Sequence, residues 1–460
     1  MIKRSVVNDL KVWRIKPDRK PLVLRGARQV GKTTAVRLFG AGFDQFVYLN
    51  LERPEDRGFF REERSFKDTL DAIYLAKKIV PGGSILIFID EIQYSDIAVQ
   101  LLRYFFEDAP ELYVIAAGSM LETLINKKIH FPVGRVEFLK MYPVTFDEFL
   151  EGIGEGAALE LLNREVIPEY AHDQLTRLFN RYTMVGGMPE AVALYSEGQS
   201  VASLAPVYRN LLLSYLDDVE KYASTDHQIK VLRHVISRAY AYTGSRIRYA
   251  GFGESSYGSR DVSEAFTILE KTMLFLPARP TVYPTIPVIP DYRKSMKVFG
   301  LDAGLINFQF GNQGDYLDQI PLTDILAGRM AEQITAQELI ATVLPPFSEL
   351  NFWIREKSQS QAEVDFVLPF HDRLIPIEVK SGKTGKLRSL HSFIDHCPHN
   401  LAVRIYSGPL LIHSDKTLRG KEFQLVNLPF YLISRIGSRL EGVTSDEKRD
   451  ARRMTRDTKE

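Results

Sequence analysis

Eight residues, GARQVGKT at Gly26 to Thr33, constrain the fold of this chain more than any other stretch. They follow an apolar run, PLVLRG at 21–26, and open a helical pattern, TTAVRLF at 33–39. Glycines at both ends let the backbone turn its N–H groups inward. A lysine and a hydroxyl then sit at the mouth of a helix, whose dipole favours negative charge there. A loop of this kind between strand and helix is a cradle for nucleotide phosphates. Gly26, Ala27, Arg28, Gln29, Val30, Gly31, Lys32, Thr33 and Thr34 are therefore the expected nucleotide contacts. Lys32 would place its charge between the β- and γ-phosphates, and Thr33 would supply a hydroxyl to Mg²⁺. ATP and Mg²⁺ are the cofactors this predicts.

The second half of such a site is ILIFIDEIQ at 85–93, an apolar run that delivers Asp90 and then Glu91. Asp90 at a strand end can hold the nucleotide's Mg²⁺ through water. Four runs, 21–26, 45–51, 84–90 and 112–119, are apolar on both faces and read as buried parallel strands. Helical stretches lie between them, so residues 1–145 read as a doubly wound α/β domain.

The stretches GARQVGKTT, FIDEIQ, AAGSM, FPVGRVEFLKMYPVTFDEFL and GGMPEAV together resemble the prokaryotic AAA-type ATPases that carry a C-terminal domain of unknown function. The resemblance covers about residues 15–435. It implies that Glu91 polarises the attacking water and that Ser119, after the fourth strand, is the polar sensor near the γ-phosphate. It also implies that Arg135 matches the family's Gly-Arg position, where an arginine could stabilise transition-state charge. Such a finger contributes about 10³ to 10⁵ in rate. Acting in a neighbour's site, it would require a homo-oligomer; a surface arginine at a strand start is the plainer alternative.

Composition narrows the rest. A net charge of +1 over 460 residues excludes general polyanion affinity, so any nucleic-acid binding must come from local basic patches. One cysteine, Cys397, excludes a disulfide framework and cysteine-rich zinc sites. The cluster HCPH at 396–399 reads as a turn after a helix. No run reaches the roughly 18 apolar residues of a membrane span, and the start lacks an apolar leader, so a cytoplasmic protein without membrane partners is expected.

Residues 146–227 read as a helical lid or connecting region, where TFDEFLEG starts a helix with a threonine cap and an acidic first turn. GGMPEAVALY places a proline at a helix start. Residues 228–310 carry helix, helix and ribbon patterns, the layout of a winged helix. Arg246, Arg248, Arg260 and Lys271 are its candidate phosphate contacts; a packing role is the alternative, since the second helix opens acidic. Residues 311–440 return to α/β, and 441–460 are a charge-rich stretch that reads as a disordered tail.

The segment AEVDFVLPFHDRLIPIEVKSG at 362–382 raises a second chemistry. By the two-residue strand period, Pro376, Glu378 and Lys380 share one face. In a hairpin with an even turn centred between His371 and Asp372, Asp365 opposes Glu378 and Glu363 opposes Lys380. Opposed Cβ atoms lie about 5 Å apart, close enough for two carboxylates to share a hard cation; the Glu363–Lys380 pair would be a plain salt bridge. An acid on one strand and EVK on the next resembles the PD-(D/E)xK nuclease superfamily. The resemblance implies a restriction-endonuclease-like domain with a further glutamate on the preceding helix: Glu332 matches and Glu338 is the fallback. It also implies that Glu332, Asp365 and Glu378 hold a metal and that Lys380 positions the attacking water. Some members of that fold only bind. Two expectations therefore stand: an ATPase whose C-terminal domain engages DNA and cuts it, or a nucleotide-switched binding protein with a non-cleaving nuclease-like fold.

Overall fold

The computed structural model describes residues 2–118, 132, 134–311, 328–357 and 360–445. Three five-stranded sheets organise them. The first contains β1 (Leu22–Arg25), β2 (Gln45–Asn50), β3 (Ile85–Asp90), β4 (Tyr113–Gly118) and β5 (Glu137–Lys140), in the order β2-β3-β4-β1-β5. All its pairings are parallel. The four expected strands are present, and β3 is buried along its whole length, as its unbroken apolar run requires. The fifth strand, β5, escapes the apolar-run criterion because it lies at the edge and is only half-buried.

The helices after this sheet start where their caps dictate. Thr145 and Glu148 form a reciprocal capping box on the helix Phe146–Gly152. Proline opens the helix Pro189–Ser196. The helix Ala205–Tyr222 crosses next to the first domain and leads into Asp226–Ala239.

The second sheet contains β6 (Ser245–Arg246), β7 (Phe275–Thr281), β8 (Lys297–Gly300), β9 (Leu350–Lys357) and β10 (Ser360–Val364), in the order β10-β9-β7-β8-β6. Around it the chain runs helix Asp226–Ala239, β6, helix Ser259–Lys271, β7 and β8. However, β7 also pairs in parallel with β9. One sheet therefore spans the boundary expected between residues 310 and 311.

The third sheet contains β11 (Phe366–Phe370), β12 (Arg373–Val379), β13 (Leu401–Tyr406), β14 (Leu411–Lys416) and β15 (Glu422–Pro429), in the order β11-β12-β13-β15-β14. The hairpin of β11 and β12 has the anticipated register, Phe366 opposite Ile377 and Phe370 opposite Arg373. Its turn holds His371 at a φ of 50°. The expected single strand 362–368 is split: β10 pairs with β9 in the second sheet and β11 with β12 in the third. Asp365 is the residue at the changeover.

One apolar core runs from Ile2 to Leu440 and joins all three sheets; smaller cores line the outer faces of the first and third sheets. The helix Gly328–Glu338 threads this junction. Near its C-terminal end, buried Glu338 accepts from the Phe146 N–H at 3.1 Å and the Tyr182 hydroxyl at 2.7 Å. Glu338 therefore ties the helix Phe146–Gly152 to Tyr182 and is not placed as the fallback metal ligand. Burial pushes its pKa from 4.5 up to about 8. A carboxyl whose folded pKa is raised contributes stability fully below its unfolded value and loses it as pH rises through the folded one. Glu338→Ala should cost about 1–3 kcal/mol by orphaning the buried Phe146 N–H, while the Tyr182 hydroxyl keeps the Val144 carbonyl as acceptor. Wild type should lose stability relative to Glu338→Gln as pH rises from 4.5 toward about 8, a trend that denaturant titration at several pH values would detect.

Candidate functional site

The loop after β1 has the geometry its sequence demands. Gly31 lies at φ +96°, and a Cβ on Gly26 would sit 2.5 Å from the Met141 carbonyl oxygen. Gln29 also takes a positive φ, 64°. Arg4 clamps the loop from outside: Nη1 donates to the Val30 carbonyl at 2.7 Å, and Nε donates to Glu148 at 2.9 Å. Both side chains of that ion pair are buried.

Lys32 is buried and donates to the carbonyls of Gly26 and Ala27 at 2.8 and 2.9 Å. Burial lowers its pKa to about 8 against the opposing pull of Glu91 and Asp90. Thr33 Oγ1 donates to Asp90 Oδ2 at 2.8 Å, and the Tyr48 hydroxyl donates to the same oxygen at 3.2 Å. The hydroxyl and carboxylate that a nucleotide-bound Mg²⁺ needs are thus side by side, and the donor set fits that ion. Glu91 follows in a left-handed conformation at φ 51°, hydrogen-bonded to Gln93. Burial raises its pKa.

Ser119 lies outside the described residues; β4 ends one position earlier, at Gly118, whose register partner on β1 is Arg25. Arg135 is exposed, and its Nε donates to Glu107 at 2.8 Å. Arg28, one of the loop's variable positions, donates to Asp218 on the helix Ala205–Tyr222 at 2.5 Å.

A second constellation gathers where the second and third sheets meet. It holds Glu332, Glu363, Asp365, Glu378 and Lys380, with one residue the sequence reading missed. Lys297, at the start of β8, is almost fully buried and points its ammonium into the acids. Nζ lies 2.8 Å from Glu332, 2.8 Å from Glu363 and 3.4 Å from Asp365. Burial alone would lower the Lys297 pKa; the charges of Glu332, Asp365 and Glu363 outweigh it and hold the ammonium well above its usual range. Asp365 also accepts from the Val379 N–H at 2.8 Å. Lys380 turns back to Glu378 at 2.7 Å. The expected Glu363–Lys380 bridge is not formed: the chain leaves the hairpin at Asp365, and Glu363 pairs with Lys297 and Arg246 instead.

The carboxylates outnumber the ammonium groups here. Burial and the Asp365 charge raise Glu332 to about 7 and Glu378 to about 8. Glu378 Oε2 is the one carboxylate oxygen of the set that is buried with no hydrogen-bond partner. The other acids face an internal cation or a backbone donor, so this arrangement does not fit a divalent metal. No metal-holding group of three such side chains occurs among the described residues. A lysine opening a strand between apolar neighbours, in SMKVFG at 295–300, was the available signal for Lys297.

The winged-helix candidates diverge. Arg246 pairs with Glu356 at 2.7 Å. Arg248 and Arg260 are exposed and Lys271 half-buried. Three exposed bases follow Lys380: Lys383 and Lys386 in the loop after β12, and Arg388 at the start of the next helix.

Residues 18–150 match the family model of an AAA domain. Residues 176–316 and 327–431 match two domains of unknown function, DUF8612 and DUF4143. No curated protein matches the chain. Among solved structures, the Walker-type ATPase paby2304 of Pyrococcus abyssi overlaps 67% of this chain and 96% of its own, at 14% identity and a TM-score of 0.43. The Orc1 protein of Aeropyrum pernix, solved in complex with DNA, overlaps 67% and 90%, at 15% identity and 0.29. Cdc6p of Pyrobaculum aerophilum overlaps 67% and 94%, at 10% identity and 0.25. The motif, the parallel sheet and the family match make the N-terminal domain an AAA-type P-loop ATPase domain. Such domains use a nucleotide and usually Mg²⁺. No helix among the described residues is long and apolar enough to cross a membrane.

Lys297→Ala should leave three carboxylates facing one another without their cation. A loss of about 3–5 kcal/mol is expected, read by chemical denaturation. Combining it with Glu363→Gln should recover part of that loss, because one repelling charge is removed.

Proposed function

We propose that this protein binds and hydrolyses ATP with Mg²⁺ and uses the cycle to reposition a C-terminal unit that binds DNA without cutting it. In this reading residues 228–310 form a winged-helix-like unit and residues 311–440 a nuclease-like fold. Lys32 and the loop N–H groups hold the phosphates, Thr33 and Asp90 the Mg²⁺, and Glu91 the attacking water. Ser119 near the γ-phosphate and Arg135 as a finger complete the set. Because Arg135 already rests on exposed Glu107, its release to a neighbouring subunit costs little.

The observation that carries the non-cleaving half is the Lys297 ammonium, 2.8 Å from both Glu332 and Glu363. Catalysis of the PD-(D/E)xK type needs a hard cation held by Glu332, Asp365 and Glu378. Here the Lys297 ammonium already sits against two of the three, Glu332 and Asp365, and evicting it would bury an unpaired charge at a cost of several kcal/mol. The order helix, β11, β12, helix Arg388–Ile394 and parallel β13 supports a nuclease-like fold, as does the placement of Asp365 beside Glu378. Lys383, Lys386 and Arg388 supply the local positive charge for a phosphate backbone. A cutting enzyme is the second reading, favoured by the orphan oxygen of Glu378 beside Lys380.

Purified wild type should turn over ATP. Lys32→Ala should lose nucleotide binding, and Glu91→Gln should keep binding while turnover falls about 10²-fold or more. Across single- and double-stranded DNA and RNA with Mg²⁺ or Mn²⁺ and ATP, no cleavage is expected. Retention of duplex DNA should weaken when Lys383, Lys386 and Arg388 are replaced together by alanine. Cleavage that disappears with Asp365→Ala and Glu378→Ala would establish the second reading instead.

A further inference from the structure

The phosphate loop contains a charged side chain that its usual chemistry leaves unused. Arg28 occupies a position where many residue types serve, since the loop binds phosphates through its backbone. Its guanidinium does not trail into solvent. It donates to Asp218 Oδ1 at 2.5 Å, and Lys221 reaches the same oxygen at 2.8 Å. Asp218 is buried, with its side chain 4% exposed, whereas Arg28 keeps 37% exposure. The two cations therefore compete for one buried acceptor, and the arginine is the more accessible partner.

Arg28 also lies within electrostatic reach of the catalytic side of the loop. The charges of Glu91 and Glu52 act on it, and its own charge acts on Lys32. Arg28 also lines an open cleft of about 400 Å³ with Asn210, Leu213, Ser214, Asp217, Asp218 and Lys221, all from the helix Ala205–Tyr222. The residue thus belongs to the phosphate loop by its backbone, four positions before Lys32, and to the helix Ala205–Tyr222 by its side chain.

We propose that Arg28 is a γ-phosphate-reading residue that exchanges Asp218 for the phosphate when ATP binds, leaving Asp218 to Lys221. This rests on the ATP-binding reading above. An Arg–phosphate contact is charge-assisted and bidentate, so it can compete with an Arg–carboxylate pair of the same kind. ADP offers no γ-oxygen, and the Arg28–Asp218 pair persists. Lys221 keeps the buried carboxylate compensated during the exchange, which removes the main cost of breaking a buried pair. The helix Ala205–Tyr222 is then tied to the loop in the ADP state and released in the ATP state.

The test is the ratio of affinities for a non-hydrolysed ATP analogue and for ADP, measured by fluorescence titration on the full chain. Arg28→Ala should lower the preference for the triphosphate about tenfold or more, the scale of one lost charge-assisted contact, with ADP affinity little changed. Asp218→Asn should move the ratio the other way, because it removes the competing acceptor. Arg28→Lys should restore only part of the preference. Equal weakening of both nucleotides by Arg28→Ala, or a fall in the ratio with Asp218→Asn, would overturn the proposal and leave the pair a structural tie. If wild type binds neither nucleotide, the ATP-binding reading itself fails; if it binds both and the variants leave the ratio unmoved, only the exchange fails.

Discussion

The Lys297 ammonium is the interaction on which the C-terminal half depends. Three carboxylates from three different elements converge on it: Glu332 from a helix, Glu363 from β10 and Asp365 from the changeover between sheets. Without a cation there, the seam between the second and third sheets would close over mutually repelling charges. The same logic recurs at two other junctions. Arg4 pairs with Glu148 across the phosphate loop and the lid, and Arg28 pairs with Asp218 across the loop and the helix Ala205–Tyr222. Each pair joins segments far apart in sequence. Apolar contact alone could let these elements slide; the buried Arg4–Glu148 pair tolerates one register only, since breaking it strands a charge.

The helix Gly328–Glu338 lies between the two ends of the molecule. Glu338 accepts from the start of the lid helix Phe146–Gly152, which Arg4 ties to the phosphate loop through Glu148. Glu332, six residues earlier, contacts Lys297. At 1.5 Å per residue the two glutamates are separated by about 9 Å along one rigid element. In the proposed cycle this helix is the direct connection between the start of the helix Phe146–Gly152 and the Lys297 cluster. This is a physical basis for the proposed repositioning of the C-terminal unit.

Local chemistry was legible in the sequence, and pairing between distant segments was not. The phosphate loop, Asp90 and the threonine cap at Thr145 are fixed by residues within a few positions of one another. The β11–β12 register could be read because a tight even turn leaves one pairing, and it brought Asp365 and Glu378 together as expected. The Glu363–Lys380 bridge failed because the strand was assumed to continue, whereas the chain changes sheets at Asp365. Lys297 was missed because nothing in its neighbourhood names its partners, which lie 35 to 68 residues away. Glu338 looked interchangeable with Glu332 by composition; only the packing separates an acid that caps a helix from one that faces a lysine. The sharing of a sheet between β7 and β9 left no trace in either strand's pattern, since neither FLPARPT nor LNFWIREK names a partner so far along the chain.

The central claim is that the two acidic sites differ in their cation: one is built for a metal, and the other carries its own lysine. A crystal structure with Mn²⁺ and a non-hydrolysed ATP analogue, with manganese located by its anomalous scattering, addresses both at once. One manganese should lie beside Thr33 and Asp90 and none among Glu332, Asp365 and Glu378, with Lys297 still in contact with its acids. A manganese held by Glu332, Asp365 and Glu378, with the Lys297 ammonium displaced, would contradict it.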